Sequence, residues 1–360
     1  MSRFLSARFA ALEAYVPGEQ PQDRSYVKLN TNESPFPPSP EVIAAVSAGE
    51  AERLNLYPDP EGRRLRKKLA DLYQVGEENV FLSNGSDDIL NFAFMAFCDQ
   101  ERPVAFPDIS YGFYPVFAQL YNLPATVIPL GEDFTLNPED YCELHQNIII
   151  ANPNAPTGLA ISVADIEGIV RSNPDHVVVI DEAYVDFGAE SCYPLIRQYD
   201  NLLVSMTFSK SRSMAGARLG FALGSAGLIR DLNKIKYSTN PYNLDRLTLA
   251  AGEAAVDSDG YYRANCRTIM ENRAYTVGEL DKLGFSTLPS QANFIFTRCP
   301  RMDGGQLYRA LKDRGVLVRY WDKPALRDYV RVTIGSREQM DVFLTQVRNI
   351  LKEEPAHENR

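Results

Sequence analysis

Histidine is scarce in this chain: His145, His176 and His357 are the whole supply in 360 residues. A histidine metal cluster is therefore not expected, and proton transfer falls more naturally to a lysine. His357 lies in a polar tail; the other two flank apolar runs, where structural or surface roles suffice. Cysteine is sparse as well. Cys98, Cys142, Cys192, Cys266 and Cys299 are odd in number, widely spaced and free of C-x-x-C pairs. That argues against a disulfide framework or a zinc site and suits a reducing cytoplasm. No apolar run reaches membrane-spanning length. The net charge of −10 is spread with both signs interspersed, and no basic stripe offers itself to nucleic acid. The stretch from Met1 to Val16 is apolar enough to imitate a targeting segment. Arg8 and Glu13 interrupt it and no small-residue cleavage site follows, so it reads as an amphipathic arm of a soluble protein.

What is present is a large apolar supply, 45% of the residues, enough for a sizeable core and more than one domain. Strand-like runs at Val80–Leu82, Val104–Phe106, Thr126–Ile128, Ile148–Ile150, Val177–Ile180 and Leu202–Val204 alternate with helical stretches. That rhythm predicts an α/β fold with a mostly parallel sheet sandwiched by helices. Leu219–Leu223 follows Lys210 too closely for a helical crossover and is expected to run antiparallel. Leu65, Leu69, Leu72 and Tyr73 share a helical face. After about Leu244 the texture changes to long helices and short strands, a smaller α+β domain. There Val316–Trp321 and Tyr329–Ile334 read as strands, and Ser336 with Gln339 forms a capping box. It opens a helix whose Met340, Phe343, Leu344, Val347, Ile350 and Leu351 make one stripe. The boundaries read as an arm over 1–30, a large domain over 31–244, a small domain over 245–352 and a charged tail over 353–360.

Lys210 is the residue that points to chemistry. It follows the apolar run Leu202–Met206, sits among Ser209, Ser211, Ala215 and Gly216, and has Arg218 eight positions on. Such an amine has room beside it to form a Schiff base with an aldehyde cofactor such as pyridoxal phosphate; alone, it also fits an ordinary lysine. Asp181 ends the buried run Val177–Ile180, where open α/β sheets bind ligands. An ionised Asp there would keep a pyridine nitrogen protonated, although capping the next turn is the plainer role. Asn152-Pro-Asn-Ala-Pro-Thr-Gly158 follows another strand as a well-made turn. Asn84-Gly-Ser-Asp-Asp88 lies where a strand ends and a helix begins, either a phosphate cradle or a simple N-cap. In Tyr329–Ile334 the alternation puts the aliphatic residues on one face and Arg331 on the other; Val316 and Val318 likewise oppose Arg319. A shared cleft or a solvated surface would explain both arginines.

Taken together, the chain from Tyr15 to about Leu351 resembles the fold-type I aminotransferases, and within them the histidinol-phosphate aminotransferase family. The blocks that carry the resemblance are Lys28-Leu-Asn-Thr-Asn-Glu-Ser-Pro35, Tyr57-Pro-Asp-Pro60, Asn84–Asp88, Asp181-Glu-Ala-Tyr184, Ser209-Lys210 with Arg218, and Val330-Arg-Val-Thr-Ile-Gly335. The resemblance implies that Lys210, Asp181 and Tyr184 are catalytic and that the cofactor is pyridoxal 5'-phosphate. Gly85, Ser86, Asp87, Thr207, Ser209 and Arg218 would hold its phosphate, with Tyr57 reaching in from the partner of a homodimer with shared active sites. Tyr111 would lie over the ring, and Tyr184 would donate to the phenolic oxygen. Arg331 and Arg319 would bind the phosphate of the amino donor, with Tyr15 and Asn32 nearby; Asn293 and Tyr242 are weaker candidates. The implied reaction converts histidinol phosphate and 2-oxoglutarate to imidazole acetol phosphate and glutamate, in the cytoplasm, as part of histidine biosynthesis. Threonine-phosphate decarboxylase and aromatic amino-acid aminotransferases share this scaffold and are the alternatives. One departure stands out. Most members carry Asn directly before Pro-Thr-Gly, as a donor to the phenolic oxygen, and here that position is Ala155. Asn154, one residue away, joins the candidate cofactor contacts, although Pro153 and Pro156 should turn it elsewhere.

Overall fold

A computed structural model describes residues 5–6, 9, 11–46 and 48–353. The charged tail after Glu353 and His357 lie outside the described residues, as does part of the N-terminal arm. In chain order the structure runs through β1 (Val27–Lys28), α1 (Pro40–Ala45), α2 (Ala48–Ala51), α3 (Arg63–Tyr73), β2 (Val80–Ser83), α4 (Gly85–Phe97), β3 (Val104–Pro107) and α5 (Phe113–Tyr121). There follow β4 (Ala125–Ile128), β5 (Asn147–Ala151), α6 (Val163–Ser172), β6 (Val178–Asp181), β7 (Leu202–Thr207), β8 (Gly220–Gly224), α7 (Ala226–Thr239) and α8 (Arg246–Asp257). The last third holds α9 (Asp259–Asp281), β9 (Ser286–Thr287), β10 (Phe294–Arg298), α10 (Gly304–Asp313), β11 (Val316–Leu317), β12 (Tyr329–Thr333) and α11 (Arg337–Glu353).

A seven-stranded sheet in the order β2-β8-β7-β6-β5-β3-β4 forms the centre. Only β8 runs against the others, pairing antiparallel with both β7 and β2, as its short distance from Lys210 requires. The apolar runs of β5, β6 and β7 divide their side chains by alternation. Ile148, Ile150, Val178, Ile180, Leu202 and Val204 enter one core, while Ile149, Val179 and Leu203 enter the core on the opposite face. Burial on both faces is why these strands read as continuous apolar runs.

A second core gathers Leu29, directly after β1, with α9, α10, α11 and the three strands β10, β11 and β12. The capping box forms as expected, with Gln339 N donating to Ser336 Oγ and Ser336 N donating to Gln339 Oε1. All six residues of the expected α11 stripe are buried. The helix α8 packs into the large sheet's core through Leu249, Ala251, Ala255 and Val256. The second core takes over along α9, between Tyr262 and Cys266.

One expected strand is shorter than its pattern. Val316–Trp321 keeps only Val316 and Leu317 in a ladder, parallel to Val27 and Lys28. Beyond it, a lone antiparallel bridge joins Arg319 to Arg331. Apolar alternation marks which side chains are inward; it does not say how far a neighbouring strand follows, and β1 is only two residues long.

Candidate active site

The carboxyl ends of β2, β3, β5, β6 and β7 meet at one edge of the sheet, and the antiparallel β8 begins there. Ligands of open α/β sheets bind at this edge. A cavity of about 330 Å³ opens on it, lined by Ser86, Asp87, Tyr111, Asp181, Tyr184 and Lys210 among others. A neighbouring cavity of about 320 Å³ shares Tyr111, Tyr184 and Lys210 and continues to Tyr15, Arg319 and Arg331. Residues from every block singled out in the sequence, except Tyr57, thus surround one continuous space.

Asp181 ends β6, its backbone opposite Ala151 and Ser205. Its side chain is 5% exposed. Tyr114 donates to Oδ2 at 3.3 Å, while Oδ1 is buried with no partner. Burial pushes the Asp181 carboxyl up to about 7, with the Asp87 carboxylate adding to the rise and Lys210 opposing it. An unpartnered buried carboxylate oxygen is costly, and an N–H⁺ donor in the cavity would satisfy it.

Lys210 follows β7, where Thr207 and Ser209 turn the chain: Ser209 N and Thr207 Oγ1 are 3.1 Å apart, and the Thr207 hydroxyl donates to Ser209 Oγ at 3.0 Å. Its amine donates to the carbonyl of Thr31 at 3.3 Å and stands 5.8 Å from the centre of the Tyr184 ring. Tyr184 Oη accepts from Asn32 Nδ2 at 3.0 Å.

The anion-binding corner is built by close backbone approach. Gly85 opens α4 with φ +79°, and a Cβ there would stand 2.8 Å from Arg218 Nη2. A Cβ on Gly220, across the β2–β8 pair, would meet the Gly85 carbonyl carbon at 2.5 Å and Ser86 N at 2.7 Å. Two bare glycines therefore let the first turn of α4, with its free N–H groups, sit against Arg218. Arg218 Nη2 donates to Asp87 Oδ2 at 2.9 Å, and Tyr111 Oη donates to Asp87 Oδ1 at 2.6 Å. Burial raises the Tyr111 hydroxyl above its ordinary value, and the Asp87 carboxylate raises it further.

At the far end, Arg331 donates to Asn30 O at 3.0 Å through Nη2, and its Nε is buried without a partner. Burial lowers its pKa from the usual guanidinium value. Arg319 donates to Val16 O at 2.9 Å and to Pro17 O at 3.0 Å, tying down the N-terminal arm. This delivers Tyr15, stacked on Phe113 at 4.3 Å between ring centres. Burial raises the Tyr15 hydroxyl, while Arg319 and Arg331 lower it.

Four expected residues, Asn154, Tyr57, Tyr242 and Asn293, lie apart from this cavity wall. Asn154 turns its amide outward: it accepts from Ser110 Oγ at 2.8 Å and donates to Ile109 O and Thr157 Oγ1. Tyr57 is 78% exposed and stacks on Tyr242 with ring centres 4.4 Å apart. Asn293 is fully buried and donates to Asn32 O at 3.1 Å.

Sequence reasoning missed Trp321, Tyr114 and the carbonyls of Asn30 and Thr31. Trp321 was within reach of the alternation that found Arg319, two residues before it. Its ring lies 5.4 Å from the Arg319 guanidinium and 5.2 Å from that of Arg331.

The features fit the expected pyridoxal 5'-phosphate. Asp181 Oδ1 lacks a donor, the Gly85–Gly220 contact leaves an anion cradle beside Arg218, and Lys210 reaches the space between them. Among the described residues no group of His, Cys, Asp and Glu is arranged to hold a metal. No helix of the described residues is long and apolar enough to cross a membrane.

Comparison with known proteins gives the same direction. The family model of class I and II aminotransferases matches residues 24–347. The histidinol-phosphate aminotransferase of Brachyspira hyodysenteriae is 47% identical over 353 residues, covering 98% of this chain and 100% of that protein. That of a Marinomonas species is 48% identical over 353 residues, covering 97% of this chain and 100% of its own length. In fold, the chain is similar to the crystal structure of histidinol-phosphate aminotransferase from Sinorhizobium meliloti in complex with pyridoxal-5'-phosphate. The TM-score is 0.86 at 22% identity, over 98% of this chain and 100% of that one.

Proposed function

The chain belongs to the histidinol-phosphate aminotransferases of the class I and II family, and we propose how its own residues carry that activity. It moves the amino group of histidinol phosphate to 2-oxoglutarate, giving imidazole acetol phosphate and glutamate in histidine biosynthesis. Its cofactor is pyridoxal 5'-phosphate. The observation that carries the residue assignment is the placement of Lys210 between an unpartnered Asp181 oxygen and the paired Arg319 and Arg331.

When bound, pyridoxal 5'-phosphate supplies the aldehyde that takes the amino group and the ring that accepts the electron pair left by a departing proton. Gly85, Ser86, Asp87, Thr207, Ser209 and Arg218 hold its phosphate, and Tyr111 covers its ring. Asp181 accepts a hydrogen bond from the ring N–H⁺ through Oδ1. A cation there favours the charged carboxylate and pulls Asp181 back down from about 7. Tyr184 donates to the phenolic oxygen. Lys210 would anchor the cofactor through Nζ; once the donor's amine displaces it, the free amine would take the proton from the donor's α-carbon and deliver it to the cofactor carbon that carried the aldehyde. Arg319 and Arg331 grip the donor's phosphate with charge-assisted bonds, and Tyr15 closes the side facing the arm.

The exposed Ile43, Val46, Leu54, Leu56 and Tyr57 support a second copy of this chain as the partner. These apolar residues sit next to the turn expected to reach a neighbour's cofactor. Five unpaired cysteines support a cytoplasmic location. The two separate cores support a large cofactor-binding domain and a small C-terminal domain, with the arm as a third part. They favour a boundary inside α9 over one at Leu244.

Purified protein given histidinol phosphate and 2-oxoglutarate is expected to form glutamate, and none when either is omitted. Carbon dioxide from threonine phosphate, without glutamate from histidinol phosphate, would instead show the decarboxylase.

A further inference from the structure

Asn30, Thr31 and Asn32 are consecutive, and each holds a different working group. Asn30 O takes Arg331 at 3.0 Å, Thr31 O takes Lys210 at 3.3 Å, and Asn32 Nδ2 reaches Tyr184 Oη at 3.0 Å. The third contact has a direction that its surroundings enforce. Thr333 Oγ1 accepts the backbone N–H of Asn32 at 3.0 Å and donates its own proton to Asn32 Oδ1 at 3.0 Å. Thr333 is 2% exposed and Asn32 1%, so water does not compete. With Oδ1 engaged by Thr333, the amide turns its NH₂ to Tyr184. The Tyr184 oxygen is an acceptor in that bond, and its own proton is left to point into the cavity.

The backbone at Asn32 is held for this purpose. It adopts φ +57°, a left-handed conformation that Asn tolerates better than most residues. Asn293 donates to its carbonyl at 3.1 Å, and the Asn293 carbonyl takes Ile334 N at 2.8 Å.

We propose that Asn32 is a positioning residue: backed by Thr333, it sets the Tyr184 hydroxyl as a donor toward the cofactor's phenolic oxygen. The proposal rests on the pyridoxal-phosphate reading above. It gives Asn32 work different from the substrate contact that the family resemblance implies. The role matters more in this chain than in relatives with an Asn before Pro-Thr-Gly. Ala155 has no donor to offer, and Asn154 spends its amide on Ile109 and Thr157. Tyr184 is then the main protein donor to that oxygen, and only one orientation of its hydroxyl serves.

The test reads the visible absorption of cofactor-loaded protein against pH, without turnover. The charged and titratable groups around Tyr184 are Lys210, Arg331, Tyr15, Tyr111 and Tyr114, and all stay unchanged. Tyr184→Phe removes a donor from the phenolic oxygen, so the neighbouring cofactor proton is held to higher pH, by about one unit. Asn32→Gly, which keeps the left-handed backbone, should move the midpoint upward by roughly half of that or more. Asn32→Ala should match it, which separates loss of the amide from backbone strain. In the Asn32→Gly/Tyr184→Phe double variant the midpoint should equal that of Tyr184→Phe alone. A wild-type midpoint in both Asn32 variants, an unmoved midpoint in Tyr184→Phe, or additive shifts in the double variant would each overturn the proposal. A wild-type protein with no pH-dependent visible band would instead sink the pyridoxal-phosphate reading itself.

Discussion

Arg319 and Arg331 exchange two backbone hydrogen bonds of 2.9 Å across a single antiparallel bridge, so two cationic side chains leave the backbone side by side. Like charges directly opposite one another destabilise a strand pair. Here the Trp321 ring lies against both guanidinium groups, Phe294 lies 5.2 Å from that of Arg331, and carbonyls of the arm and of Asn30 accept from them. Among the described residues neither guanidinium forms an ion pair, although the Glu19 carboxylate lies near enough to feel Arg319. The proposed phosphate dianion of the donor would supply the matching charge.

Replacing Arg331 or Arg319 by Leu should therefore weaken the phosphorylated donor far more than an unphosphorylated aromatic one. Each charge-assisted bond is worth about 1.5–3 kcal/mol, so KM for histidinol phosphate should rise tenfold or more. Steady-state kinetics with both donors check this; equal losses for the two would mean that the arginines do not read the phosphate.

Asp181 predicts a pH effect in the cofactor-free protein. Its folded-state pKa, about 7, lies above the ordinary carboxylate value. The folded state thus binds the proton more tightly, and Asp181 costs stability once pH rises above the unfolded value, with the full cost above about 7. Asp181→Asn should raise the melting temperature of cofactor-free protein at pH 8 and much less at pH 5, while weakening cofactor binding. Glu182, also buried and pushed up to about 7, shares the pH trend but is common to both proteins. Identical melting curves at pH 8, compared by calorimetry, would contradict the burial argument.

Tyr57 is expected to act across a dimer. Provided Tyr57→Phe is itself strongly impaired, mixing it with Lys210→Ala subunits places both defects in one site of each heterodimer and spares the other. Activity should return to the mixture. If it does not, measured after subunit exchange is verified, the shared-site proposal fails.

Ala155→Asn should restore the donor missing beside Tyr184. Ala155 lines both cavities and packs with Ala292, Phe294 and Tyr184, so a new amide would enter the cofactor's space. The pH midpoint of the bound cofactor's visible band should fall by about one unit if the new bond contributes roughly 1.4 kcal/mol. An unchanged midpoint on spectrophotometric titration would mean that the oxygen was already satisfied.

Much of this architecture was legible because it rests on periodicity. The apolar runs of β5, β6 and β7 announced burial on both faces, and alternation in β12 put Arg331 opposite its aliphatic neighbours. The α11 stripe and its capping box were readable residue by residue. Other features depend on partners distant in the chain. The amphipathic face of α8 signals burial without saying in which core. The carbonyls of Asn30 and Thr31 carry no residue-specific mark, since every residue has one. The three-residue gap between Asp181 and Tyr184 gave their proximity, yet not that Asn32, 152 residues away from Tyr184, would hold its hydroxyl.

The central claim is that Lys210 serves a two-stage amino transfer whose donor is chosen by its phosphate. The most direct measurement is a half-reaction titration of cofactor-loaded protein followed by visible absorption. Histidinol phosphate alone should bleach the band, and 2-oxoglutarate should then restore it. Lys210→Ala protein should show neither change and no borohydride-reducible linkage. A band unmoved by histidinol phosphate, or one that bleaches and recovers equally well in Lys210→Ala protein, would contradict the account.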